Sequence, residues 1–347
     1  MNRNPIFLKQ LSSIFYNCMG YGVVLFVVGL FTSYVHGTLS LNLGHRFGSE
    51  VTRYSIFPYV GTPLSELSFY SNSAPFISVK FLKDQSTSKI KTKGYRFDTY
   101  GIDLFVTKST GWFEDKDFDI GRESLLQPIT TNQLDIYSRA DLNSKSYRMF
   151  LHVGKTVFQR QHFRFNLQVG YLYSNLVYSV FNADQWSLSN VKVTHISDKI
   201  DTSHAAFSNP LHLSGEVLRY KLTNQGPILG VRISSYFKRF HWDTTVLWTP
   251  LVTITDRDDH LLVNKVSQSV HEGTFVNMDI GMTYLLDKNW AIFSQFKFMH
   301  IYSNSGYQTQ RVYSDSSLDT MISEVNDIPH SIFRQQYGLE MGIRYRI

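Results

Sequence analysis

Hydrophobic and polar side chains alternate with period two along most of this chain, the spacing of strands that show a different environment on each face. Phe163, Phe165, Leu167, Val169, Tyr171 and Tyr173 are interleaved with Arg164, Asn166, Gln168, Gly170, Leu172 and Ser174. Leu229, Val231 and Ile233 alternate with Gly230, Arg232 and Ser234; Met278, Ile280, Met282 and Tyr284 alternate with Asp279, Gly281 and Thr283. The chain ends on Tyr337, Leu339, Met341, Ile343, Tyr345 and Ile347, spaced by Gly, Glu, Gly, Arg and Arg. The pattern predicts ten strands, at 38–49, 64–83, 94–107, 133–158, 162–180, 212–237, 240–255, 268–286, 290–302 and 332–347. Tight links are expected at Gln159–Gln161, Lys238–Arg239 and Asp287–Asn289, and long polar loops at 50–63, 108–132, 181–211, 256–267 and 303–331. One link, Asp84–Lys93, is longer than the others on its side. Short turns at one end and long loops at the other are the asymmetry of an outer-membrane barrel. A soluble β-sandwich also alternates, and the pattern alone leaves it open.

Composition narrows the choice. Among 347 residues there are 26 Phe and 21 Tyr, yet the mean hydropathy is slightly negative. Strands that face lipid with every second side chain produce that mixture. A helical membrane protein would instead need several apolar stretches of about 20 residues. Residues 1–37 read as a secretory signal peptide: Arg3 and Lys9 precede an apolar run from Gly22 to Phe31, and Val35-His36-Gly37 offers a cleavage site. An uncleaved anchor is the rival reading, because no charge interrupts Gln10 to Gly37. The expected domain is then 38–347, an all-β transmembrane antiparallel barrel of ten strands with long extracellular loops. Cys18 is the single cysteine, so the mature chain would hold no disulfide or thiolate site. The net charge of +6 comes without a Lys/Arg block, which suits an anionic lipid surface and not nucleic acid.

Two acidic clusters carry candidate chemistry. Asp115 and Asp117 flank Lys116 in one predicted loop, and Asp258-Asp259-His260 lies in another. Two-residue spacing puts both members of a pair on one face of extended chain. There Asp258 can orient the His260 imidazole, a side chain that can act as general base. Asp115 and Asp117 would repel one another, leaving one protonated and able to donate to a developing oxyanion. Either pair alone reads more simply as a solvated loop or a cation site. No recognised metal motif of the H-E-x-x-H or cysteine type is present. A G-x-S-x-G elbow is missing as well. His152, His162, His241 and His300 have no partners in sequence and read as lumen or interface residues.

In these residues the chain resembles the omptins, outer-membrane endoproteases of Gram-negative bacteria. The likeness rests on Glu114-Asp115-Lys116-Asp117-Phe118 and Asp256-Arg257-Asp258-Asp259-His260. The flanks Ser65-Glu66-Leu67-Ser68-Phe69, Tyr220-Lys221 and Pro227-Ile228-Leu229-Gly230 agree, and the match runs over essentially the whole mature chain. The resemblance implies a ten-stranded barrel projecting beyond the outer membrane, with an outward-facing active groove. Asp258 and His260 would be its dyad, and Asp115 and Asp117 the facing catalytic pair. It further implies cleavage beside basic residues of peptides or proteins, with Glu50 and Asp256 in the substrate-binding pocket. Lipopolysaccharide is the implied partner needed for activity; no other cofactor is implied. The chain departs from the family at Arg122-Glu123-Ser124-Leu125-Leu126-Gln127, where a family histidine is replaced, with Gln127 nearest; a changed preference after the scissile bond is expected. Two other classes stay open: an inactive omptin-like barrel serving as adhesin or invasin, and a porin-like channel. Arg164, Arg232 and Glu340 would fill a narrow lumen, which disfavours the channel.

Overall fold

Alternating chain with no helix-period segments builds a closed antiparallel sheet. In the computed structural model, residues 38–56, 64–84, 97–118, 133–192, 200–203, 205–314, 318 and 320–347 are described. The proposed signal segment and the Arg122–Gln127 stretch lie outside them, as do most of the Asp84–Lys93 link and part of several long loops. The strands are β1 (Thr38–Ile56), β2 (Ser65–Ser71), β3 (Ala74–Asp84), β4 (Thr99–Phe118), β5 (Gln133–Arg160), β6 (Phe163–Lys192), β7 (Leu211–Phe237), β8 (Phe240–His260), β9 (Lys265–Leu285), β10 (Trp290–Tyr313) and β11 (Met321–Arg346). Each pairs antiparallel with its neighbours, and β1 closes the ring on β11 from Ser40↔Arg346 to Ile56↔His330.

Eleven segments occupy ten positions in the ring. β3 pairs with the lower halves of β1 and β4, and β2 with their upper halves, so the expected second strand is present but interrupted at Asn72-Ser73. The expected turns are found at Lys238-Arg239 and before Trp290, where Asp287 accepts hydrogen bonds from the Asn289 and Trp290 amides at 2.7 Å, and the one expected at Gln159–Gln161 falls at Gln161-His162 because β5 continues through Arg160. These lie at the end that holds Thr38 and Arg346.

The long-loop assignments need correction. Much of 50–63, 108–132, 181–211, 256–267 and 303–331 is strand, and β5 and β6 reach 28 and 30 residues. A membrane crossing needs only about 9–11. On these upper strand ends the outward positions are polar, as at Arg53, Arg219, Arg257 and Asp259, while inward Tyr54, Leu67, Phe113 and Ile254 stay buried, so the outward apolar alternation that identifies a lipid-facing strand fades. Both acidic clusters therefore sit on strands, Asp115 and Asp117 near the top of β4 and Asp258 and His260 at the top of β8.

Side chains sort as the alternation requires. Leu167 is 48% exposed on the outside while Gln168 is 4% exposed within. Glu340 is buried between outward Leu339 and Met341. The lower lumen holds a cavity of about 310 Å³, lined along adjacent strands by Arg232–Asp243 at 2.7 Å and by Lys297, whose Nζ donates to both Glu340 oxygens at 3.0 and 3.1 Å. Above it the interior turns apolar. Phe69 stacks on Tyr178 and Tyr220 with ring centroids 4.6 and 5.0 Å apart, and Leu67, Phe113, Leu172, Leu176, Leu222, Ile254 and Phe275 pack in the same core. This packed layer lies between the lower cavity and the rim cavity.

The Lys297–Glu340 pair gives a test of the lumen. Lys297→Met strands a buried carboxylate, and breaking such a pair costs about 3–5 kcal/mol. The additional change Glu340→Leu should restore most of that loss. Urea unfolding of the barrel in lipid vesicles measures both.

Candidate functional site

β4 and β8 face each other across the rim, and the two-residue spacing turns both pairs inward. Asp115 is held in register with Leu67 of β2 and Ser138 of β5, and Asp117 with Ser65 and Ile136. Asp258 is paired with Tyr220 and Ser267, and His260 with Leu218 and Lys265. His260 Nε2 lies 2.7 Å from Asp258 Oδ2. Asp258 is buried, and His260 keeps partial access to solvent. One cavity of about 200 Å³ is lined by Asp115, Asp117, Asp258 and His260 together with Tyr54, Ile56, Ser65, Leu67, Gln185, Lys265 and Gln310. That is far more than the roughly 10–15 Å³ one water molecule needs. The structure thus brings all four expected catalytic residues to one place.

Electrostatics divide the carboxylates. Burial, then the charges of Asp117 and Asp258, push the Asp115 carboxyl well above the usual range, with Lys265 opposing. Its Oδ1 is sealed from solvent and accepts no hydrogen bond. Burial also raises Asp117, but the Ser65 hydroxyl, Lys265 and His260 hold that rise back. Burial therefore favours the protonated form of Asp115 more strongly than that of Asp117. Lys265 escaped the sequence reading. It follows His260 by five residues across a turn, and its place in the cavity depends on the β8–β9 register.

The two expected pocket residues fare differently. Glu50 is buried lower on β1, where Arg334 Nε and Nη2 donate to its Oε1 at 2.8 Å and Arg46 lies 3.5 Å from Oε2. It does not line the rim cavity. Asp256 lies two residues below Asp258 on the same face of β8 and is buried beside His271 and His330. Neither histidine stood out in the sequence.

A closed ten-position barrel with an Asp/His cluster at its rim is an outer-membrane β-barrel architecture. The structure is similar over 89% of this chain and 97% of the other to the outer-membrane protease OmpT of Escherichia coli, with a TM-score of 0.66 at 14% identity. The chain has that fold. OprG of Pseudomonas aeruginosa (90% of this chain, 96% of that one, 9% identity) and the translocator domain of NalP from Neisseria meningitidis (97% and 98%, 8% identity) align loosely, each with a TM-score of 0.30. No protein-family model matches the sequence, and no curated protein matches it.

The raised Asp115 couples the site to stability. In the unfolded chain this carboxyl ionises near about pH 3.9; in the folded barrel it holds its proton to higher pH. Stability therefore falls as pH rises through that interval, because the unfolded state binds fewer protons there. Asp115→Asn should leave stability unchanged below about pH 4 and raise it increasingly above. Urea midpoints measured across pH would show this, and a constant offset would assign the effect to packing.

Proposed function

We propose that this protein is an outer-membrane endopeptidase that cleaves beside basic residues at the outward rim of the barrel. The observation that carries the reading is the single cavity that gathers Asp115, Asp117, Asp258 and His260. With His260 Nε2 donating to Asp258, Nδ1 is left as the basic nitrogen. It takes a proton from a water held between the two pairs, and that water attacks the peptide carbonyl. Asp258 keeps the ring oriented and stabilises the imidazolium. Asp115, protonated, donates to the oxyanion as it forms, and Asp117 orients the water. The imidazolium then returns its proton to the leaving amine.

The carboxylates of Asp117 and Asp258 in the cavity, with Asp256 just beneath, outweigh Lys265 and favour an approaching Arg or Lys side chain. Glu50 has no part in this, because Arg334 and Arg46 already engage it. Lipopolysaccharide as activating partner belongs to the same reading, and the replaced Arg122–Gln127 run is expected to loosen the preference after the scissile bond.

Cleavage of a fluorogenic peptide with one central Arg, by the barrel refolded with lipopolysaccharide, tests the reading. His260→Ala should lower the rate about 10²–10⁴-fold, the usual contribution of a general base, with the strand spectrum intact. A folded wild-type barrel that cleaves nothing would favour the binding role of an inactive barrel. In a peptide library, equal cleavage after neutral and basic residues would remove the electrostatic account of specificity.

A further inference from the structure

Just below the proposed catalytic dyad lies a second cluster, assembled from three strands. Asp256 on β8, His271 on β9 and His330 on β11 present one carboxylate oxygen and two ring nitrogens within 4.8 Å of one another. Asp256 Oδ1 is 3.5 Å from His271 Nε2 and 3.7 Å from His330 Nε2. Ser269 Oγ, also on β9, is 2.8 Å from His271 Nε2 and 3.1 Å from His330 Nε2. Ligands about 2.0–2.1 Å from a tetrahedral ion stand roughly 3.3 Å apart, so these separations already approximate the edges of a coordination polyhedron.

The fold makes room for this convergence. His271 pairs with Gly306 of β10, and Gly306 pairs in turn with His330 of β11. A Cβ at Gly306 would collide with the His271 ring at Nδ1 and Cε1. Glycine there lets one imidazole lie across the intervening strand and meet the other, with ring centroids 4.3 Å apart.

All three side chains are fully buried, and neither oxygen of Asp256 receives a hydrogen bond. Among the described residues, the ion-pair partners within reach of Asp256 are these two histidines alone. Tyr54 and Tyr220 wall the cluster, with the Tyr54 ring 5.0 Å from His330 and their hydroxyls unpaired. A buried carboxylate in such surroundings needs a cation. The two imidazoles beside it offer ring nitrogens as ligands, and a divalent ion would supply the charge.

We propose that Asp256, His271 and His330 bind a divalent transition-metal ion of the zinc class, with Ser269 beside the fourth position. Two imidazoles and one carboxylate suit Zn²⁺, Co²⁺ or Fe²⁺; Ca²⁺ and Mg²⁺ take oxygen ligands and are poorly served. Ser303 Oγ, 3.4 Å from His271 Nδ1, orients that ring from behind. An ion here withdraws Asp256 from the negative field offered to a basic side chain, but its binding requires no cleavage, so the two readings stand or fall separately.

The test uses the tag-free full-length barrel refolded in detergent with Co²⁺ alone as the probe. One ion per chain, with the visible d–d bands of four-coordinate cobalt, is expected, and Zn²⁺ but not equimolar Mg²⁺ or Ca²⁺ should abolish the bands. His271→Gln, His330→Gln and Asp256→Asn, checked for folding by gel heat-modifiability, should each weaken binding by more than the roughly 10–100-fold lost with an outer-shell partner. His260→Ala should bind normally, which keeps the cluster distinct from the dyad. No bound cobalt in the folded wild-type barrel would overturn the proposal in favour of an imidazolium–carboxylate pair. Binding that survives the three substitutions, or that Ca²⁺ displaces equally, would overturn it as well.

Discussion

Closure of the sheet is the constraint on which everything else in this molecule rests. In lipid no water is available for backbone N–H and C=O groups, so a strand protein can cross only if its first and last strands pair. Here β1 and β11 do so along nearly the full length of β1. Closure fixes the register of every neighbour, and register fixes which residue of each strand points inward. The rim chemistry follows: Asp115 and Asp117 point across the lumen at Asp258 and His260 because ten positions of pairing leave β4 and β8 no other choice.

The interior then divides by height. Its lower part holds buried charges in pairs, Arg232 with Asp243 and Lys297 with Glu340. Above them the aromatic stack of Phe69, Tyr178 and Tyr220 gives a dry floor. That floor raises the energetic cost of charge at the rim, which pushes the Asp115 carboxyl well upward, while Asp117 is partly relieved by Ser65, Lys265 and His260. Site and scaffold are thus in tension: the desolvation that raises the Asp115 and Asp117 carboxyls weakens the fold that carries them.

The same tension extends one layer down. Asp256 is buried without a hydrogen-bond donor, beside two histidines brought together by a glycine on the strand between them. Its position below Asp258 means that whatever satisfies its charge also sets the potential felt in the cavity above.

The sequence by itself determined the class of fold and the identity of the rim residues. Period-two alternation, the short turns and the two-residue spacing of Asp115/Asp117 and Asp258/His260 are local properties, and a strand expresses them without help from its neighbours. It underestimated strand length, because outward apolar residues mark only the lipid-facing part of each strand and the outer face of the upper barrel is polar. What lies between strands was decided by the tertiary structure. Glu50 reads like a pocket acid until closure places Arg334, 284 positions away in the chain, against it. Lys265 enters the cavity, and His271 and His330 meet Asp256, only through the registers of β8 to β11. Inter-strand register depends on closure of the whole ring, and no local pattern of residues records it.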